Sequence, residues 1–177
     1  MKYLLILTFL LISCNLLFAQ KQTDTNTPLH LLKPDYKIPY GTPEVAGITK
    51  VLDRMWSYLD QNTFPELIDK TTQAPVADYS KIDKNTIFKP GDFRLISYEW
   101  GVTYAGMLLA TETTGDPKYA GYTAARLKFL SEVRPWLVKL EEQQPGVRHP
   151  MYGLLHPHAL DDCGAMTAAM IKVKKLD

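Results

Sequence analysis

Two stretches of this sequence are too apolar to face water over much of their surface. From Tyr98 to Ala110 the one charged residue is Glu99, and from Cys163 to Val173 there is none before Lys172. In the first stretch Val102, Ala105 and Leu109 form one stripe at helical spacing, while Tyr104, Met107 and Leu108 fill other faces. A helix that is apolar nearly all round must be enclosed by neighbours. The pattern therefore predicts two inner helices, one over 97–113 and one beginning at Asp161 or Asp162 and reaching Val173. Gly101 and Gly106 cost the first of them helix propensity, and close approach of a neighbouring helix is the expected compensation at both.

Thr114-Gly115-Asp116-Pro117 reads as a stop followed by a start. Gly115 suits a left-handed C-cap, Asp116 an N-cap and Pro117 a first turn. The next helix is predicted over 117–132, with Tyr119, Tyr122, Phe129 and Leu130 on one side and Lys118, Arg126, Lys128 and Glu132 on the rest. That makes it an amphipathic outer helix, antiparallel to its predecessor because the turn is short. Pro135, Pro145, Gly146 and Pro150 are predicted to break up 133–157, with a helical turn or two between Trp136 and Glu142. Upstream, Thr42 as N-cap, Pro43 in the first turn and Glu44 against the dipole open an amphipathic helix over 44–61, carried by Val45, Ile48, Val51, Leu52, Met55 and Leu59. Residues 62–95 show no long element, and allow a short helix near 64–69. A loop of that length is usually functional or covers something.

The fold class expected is all-α, built of repeated helical hairpins. An inner helix needs neighbours on both sides, from a ring of hairpins or a solenoid. The last helix, with Ala165-Met166-Thr167-Ala168-Ala169-Met170-Ile171, is expected to present an uncovered apolar face, as in a truncated product or gene fragment. The 34-residue tetratricopeptide period is absent, although the Gly115-Asp116-Pro117 turn and Tyr119 are similar to it.

Residues 1–19 stand apart. A single lysine precedes a nearly continuous apolar run from Tyr3 to Phe18, and Ala19-Gln20 offers a small-residue cut. This is the pattern of a secretory signal peptide, too short and weakly flanked for a membrane anchor. It implies a periplasmic or secreted protein. Leu11-Ile12-Ser13-Cys14 also fits a lipobox, so an outer-membrane lipoprotein anchored through Cys14 is the alternative. Residues 20–42, rich in Thr, Pro and Lys, read as an extended linker, and 43–177 as the folded domain. The net charge of +1 argues against nucleic acid as the main partner. After removal of the leader only Cys163 remains, expected as a small buried residue. No disulfide follows from it, and no metal or other cofactor is expected.

The residues that could carry chemistry cluster at 156–166. Asp161 and Asp162 sit where an otherwise apolar helix begins. One reading is capping of the helix. The other is a general acid, because the ends of inner helices in a ring line a central cavity. His149, His156 and His158 lie close in sequence; His-x-His can bind metal, but no third-ligand pattern accompanies it. Tyr98 and Trp100 open the first inner helix and could stack on a sugar ring or simply pack in the core. Arg94, Arg148 and Lys89 could each bind a carboxylate, and the sequence does not rank them. There is no nucleophile elbow, P-loop or dinucleotide fingerprint.

Tyr98-Glu99-Trp100-Gly101-Val102, Thr114-Gly115-Asp116-Pro117-Lys118-Tyr119 and Leu160-Asp161-Asp162-Cys163-Gly164-Ala165-Met166 together resemble the unsaturated uronyl and rhamnogalacturonyl hydrolases, glycoside hydrolase families 88 and 105. The resemblance covers about 40–173. It implies an (α/α)6-barrel, of which this sequence would hold about two of six hairpins. It also implies cofactor-free hydration of the C4=C5 bond of an unsaturated uronide derived from pectin or a glycosaminoglycan. On this resemblance Asp162, or else Asp161, corresponds to the first of two family aspartates, with Asp161 capping. Tyr98, Trp100 and His158 would bind the substrate. The family's second aspartate, its main proton donor, belongs to a later Trp-x-Asp segment that is not in this sequence, so Asp162 would assist catalysis or bind substrate; Thr167 stands where a small glycine is expected. The rival from another class is an exported helical-repeat binding module of tetratricopeptide type.

Overall fold

In the computed structural model the chain divides into two units, Met1–Pro43 and Glu44–Asp177. Residues 26–28, 31 and 44–175 are described. The leader over 1–19, with Cys14, and almost all of the linker over 20–42 lie outside them. Within the second unit the order is α1 (Val45–Asn62), β1 (Leu67–Asp69), a 3-10 turn (Tyr79–Lys81), β2 (Thr86–Phe88), α2 (Tyr98–Thr114), α3 (Pro117–Gln143), α4 (Tyr152–Leu155) and α5 (Leu160–Lys174). The unit is mostly helical and held by helix-on-helix packing, an all-α arrangement with one small hairpin.

The turn between α2 and α3 forms as its residues dictate. Gly115 takes φ 75° at the C-cap, and Asp116 accepts the Lys118 N–H at 3.0 Å as N-cap. The two helices run antiparallel through this turn, burying Tyr104, Met107, Tyr119, Tyr122, Leu130 and Val133 between them and their neighbours.

Long-range contacts fix the other directions. Along α1 and α3, Asp53 meets Lys118 and Tyr119, and Asp60 and Thr63 meet Arg126, so these two helices run parallel. Along α2 and α5, Gly101 lies against Ala165 and Glu112 pairs with Lys172 at 3.7 Å, so these also run parallel. A Cβ on Gly101 would overlap the Ala165 carbonyl carbon and sit 2.5 Å from the Met166 nitrogen. Close approach is thus the reason for this glycine. It is not the reason for Gly106, where a Cβ would meet nothing within 4 Å.

Several expectations are corrected. The 62–95 segment holds no helix near 64–69. Leu67 and Ile68 are both buried, and they pair with Phe88 and Ile87 in an antiparallel hairpin. The Asp69 carboxylate accepts the Thr71 and Thr72 N–H groups at 2.8 and 2.7 Å to turn the chain out of β1. Helix α3 does not stop at 132 but runs through Pro135 to Gln143. Pro135 and Ser131 are on the exposed face, where water can serve the carbonyl that the proline leaves without a donor. The opposite face buries Val133, Leu137 and Leu140, and that packing outweighs the cost of the proline. Arg126, expected on the outside, is 3% exposed.

The inner helices are less enclosed than expected. On α2 Tyr98, Val102 and Leu109 are exposed, and on α5 only Met166 and Ala169 are buried, leaving Leu160 and Ile171 in water. Cys163 is half-buried and free. The uncovered apolar face expected of the last helix is therefore present. On α1 the stripe is wider than the contact: Leu52, Trp56 and Leu59 pack on the core, while Val45, Ile48, Val51 and Met55 stay exposed. That helix begins at Val45, with Glu44 at the N-cap making no side-chain cap bond.

Candidate functional site

Because α2 and α5 run parallel, their N-terminal turns lie at the same end of the unit. Ser97 caps α2, its hydroxyl accepting the Trp100 N–H at 3.3 Å. At the head of α5 the N-cap position belongs to Ala159 and carries no side-chain bond. Asp161 is therefore not the N-cap residue; it and Asp162 occupy the first turn, and Asp161 accepts the Asp162 N–H at 3.1 Å.

A half-open cleft of about 700 Å³ lies at this end. Its walls come from three segments: the 88–97 connection into α2, residues Pro150, Gly153 and Leu154 around α4, and Asp162 with Met166 from α5. Asp162 is half-buried, and its carboxylate makes no hydrogen bond or ion pair among the described residues. The volume is that of a small-ligand site, and the lining mixes apolar residues with Lys89, Asp92, Arg94, Ser97 and Asp162.

The 88–97 wall is anchored at three points. A Cβ on Gly91 would overlap the Asn62 carbonyl oxygen at the end of α1, so only glycine passes there. Leu95 is buried, and its carbonyl accepts the Tyr104 hydroxyl at 2.9 Å. Ser97 is held as the cap of α2. Two charges on this wall are already committed. Lys89 pairs with Glu66 at 2.7 Å and stands over the Phe64 ring, and Asp92 accepts the Tyr58 hydroxyl at 2.8 Å.

The remaining sequence candidates fall unequally around the cleft. Tyr98 is exposed beside the acidic tips; Glu99 first, and then Asp161 and Asp162, push its phenol above the usual range. It is not among the cleft walls. Neither is Trp100, which packs against the core and stacks on Phe93 with ring centroids 5.1 Å apart. Its indole nitrogen is buried, the placement of a core residue. Phe93, which sequence reasoning passed over, lines the cleft, as does Phe88. His158 is exposed and also outside the walls.

His149 and His156 converge on Glu141 instead. The Glu141 carboxylate lies 3.3 Å from His149 Nε2 and 2.8 Å from His156 Nε2. His149 is buried and its Nδ1 accepts the Met151 N–H at 3.2 Å, which leaves the ring proton on Nε2, facing Glu141. The His156 bond first, and then that of His149, hold the Glu141 carboxyl below the ordinary range. Arg148 stacks 4.0 Å over the Tyr152 ring in the same cluster. These residues fasten the end of α3 to the loop that supplies Pro150 and Leu154. Among the described residues no group of three or more His, Cys, Asp and Glu could hold a metal ion. No described helix is long and apolar enough to cross a membrane.

No protein-family model matches the chain, and no curated protein shows significant sequence similarity to it.

Proposed function

We propose that this unit is the first part of an (α/α)6-barrel glycoside hydrolase acting on unsaturated uronyl oligosaccharides. The observation that carries the reading is an uncommitted carboxylate, Asp162, on the wall of a ligand-sized cleft at the head of an inner helix. The parallel pairing of α2 with α5, and of α1 with α3, supports it further. A ring of hairpins needs its inner helices to share one direction and its outer helices the other.

In this reading Asp162 delivers its proton to C4 of the unsaturated ring. Water adds to C5 as that bond polarises, and its proton returns to the carboxylate. The resulting hemiketal opens, releasing the next sugar as an alcohol. Apolar walls from Phe93, Leu154 and Met166 would limit water around the acid. The family's main proton donor, its second aspartate, has no counterpart among these residues, and in this reading Asp162 takes that step. An exported protein of the periplasm or cell surface would meet such oligosaccharides after a lyase has cut the polymer.

The test is loss of the ultraviolet absorbance of the conjugated uronide, followed on defined unsaturated disaccharides. Asp162→Asn is expected to lower the rate by roughly 10²- to 10⁴-fold, the range of a general acid. An unsubstituted chain that leaves the absorbance unchanged overturns hydrolysis by this chain. Equal rates with and without the substitution overturn the role of Asp162.

A further inference from the structure

We infer that Arg94 is the specificity-determining residue of the cleft, selecting a ligand that carries a carboxylate. The inference rests on the sugar-acid reading above and goes beyond it by naming the group that makes the choice. Three cations in this region could do so, and the structure separates them. Lys89 lines the cleft but is neutralised by Glu66 at 2.7 Å and lies over Phe64. Arg148 is absent from the walls and is stacked on Tyr152. Arg94 lines the cleft, and its guanidinium makes no hydrogen bond or ion pair among the described residues. It is near enough to Glu99 to hold that carboxyl down, behind the hydrogen bond from Ser97 that lowers it most.

What distinguishes Arg94 from an ordinary surface arginine is its mounting. It stands between Gly91, wedged against Asn62, and Leu95, buried and tied to Tyr104. The backbone on both sides of it is fixed before any ligand arrives, so less conformational freedom is lost on binding. A guanidinium with free N–H groups offers a planar fork that matches a carboxylate in two parallel bonds. On the same cleft Asp162 supplies the one other uncommitted charged group. A ring lying against Phe93 and Leu154, with its carboxylate on Arg94, would have its double bond within the same cleft as the proton donor.

The experiment is an NMR titration of the whole chain with the unsulfated unsaturated glucuronyl–N-acetylgalactosamine disaccharide, which carries one carboxylate, and with its methyl ester. The unsubstituted protein is expected to prefer the acid. Arg94→Gln should weaken binding of the acid by roughly 10- to 100-fold, as loss of a charge-assisted pair does, and leave the ester unchanged. Arg94→Lys should restore part of the preference, because charge remains and the fork is lost. Lys89→Gln should keep the preference. If the unsubstituted protein prefers the acid and Arg94→Gln does so equally, the role of Arg94 is overturned and the sugar-acid reading stands. If the unsubstituted protein shows no preference, the sugar-acid reading fails, and this inference with it. Arg94 is exposed and unbonded among the described residues, so an unchanged melting temperature should accompany both Arg94 substitutions.

Discussion

Replacing Arg126 by methionine removes one guanidinium and should cost the unit a large part of its stability. The side chain is 4% exposed. Its Nη2 donates to the carbonyls of Asp60 and Thr63 at 3.1 and 2.8 Å, its Nε to the Thr63 hydroxyl at 3.0 Å, and its Nη1 to the Tyr122 carbonyl at 3.1 Å. The guanidinium carbon also lies 3.8 Å from the Tyr122 ring centroid. The last carbonyls of α1 have no partner within their own helix, and a cation there satisfies them and meets the negative end of the dipole. Methionine keeps most of the stem volume, so the loss is mainly polar. A buried acceptor left without a donor costs about 1–3 kcal/mol. The ion pair with Asp60 adds little, because that carboxylate is half-exposed. The Thr63 hydroxyl keeps the Tyr122 hydroxyl as a donor at 2.9 Å, so the buried carbonyl of Thr63 and the part-buried carbonyl of Asp60 are the acceptors left bare, and they give a loss of about 2–4 kcal/mol. Urea unfolding followed by far-ultraviolet circular dichroism measures it, and a melting temperature lower by roughly 10 °C should accompany it. Arg126→Lys should fall between, since one ammonium cannot reach all three oxygens. A double-mutant cycle with Thr63→Val should show coupling of about 0.5–3 kcal/mol. A loss below about 1 kcal/mol for Arg126→Met, with no coupling, would refute the assignment of Arg126 as the cap of α1.

Other perturbations test separate joints. Gly101→Ala, which drives a methyl into the backbone of α5, should destabilise by about 1–3 kcal/mol, whereas Gly106→Ala, which meets open space, should be neutral or stabilising by up to about 1 kcal/mol; thermal melts of the pair decide whether close approach is confined to Gly101. Asp53 is held below the ordinary carboxylate value by its bonds to Lys118 and Tyr119, and Asp116 by its bonds to Lys118. Their folded values being depressed, the unfolded chain binds more protons in acid; the stabilisation is complete above the ordinary carboxylate range and lost as pH falls through the folded values, so Asp53→Asn should flatten the acid limb of a stability–pH curve. Glu141→Gln removes the carboxylate that His149 and His156 share, and proteolysis should then cut within 144–159 faster than in the unsubstituted chain, with cutting at an unchanged rate counting against the fastening role.

What the sequence made legible was what is local. The Gly115-Asp116-Pro117 turn, the amphipathic pattern of α1 and the two apolar stretches depend on spacing and on single-residue chemistry, and these survive in the structure. What it hid depends on partners far along the chain. Arg126 looks like a surface residue until Thr63, 63 positions away, supplies the oxygens that bury it. Leu67 and Ile68 read as a helical turn until Ile87 and Phe88 arrive to pair with them. Trp100 carries the composition of a sugar platform, and only the position of Phe93 shows which ring faces the cleft and which supports it. Asp162 was legible as a tip residue, but its lack of a partner was not, because that depends on every neighbour at once.

The largest misreading, the helix stop expected before Pro135, also bears on why a cleft exists. Helix α2 has 17 residues and α3 has 27. Starting from the short turn at the foot of α2, α3 would draw level with the head of α2 after an equal number of residues. The difference of 27 − 17 = 10 residues carries it about 15 Å further at 1.5 Å per residue. The chain must then come back to begin α5 beside the head of α2. The segment that makes this return, 144–159, contains Pro150, Gly153 and Leu154, which are walls of the cleft. It is fastened to the overshooting part of α3 through Glu141. A helix ending at 132 would have needed no return and would have left the tips of α2 and α5 bare to solvent. The ten extra residues, kept helical past a proline by Val133, Leu137 and Leu140, give Asp162 and Arg94 a hollow to share.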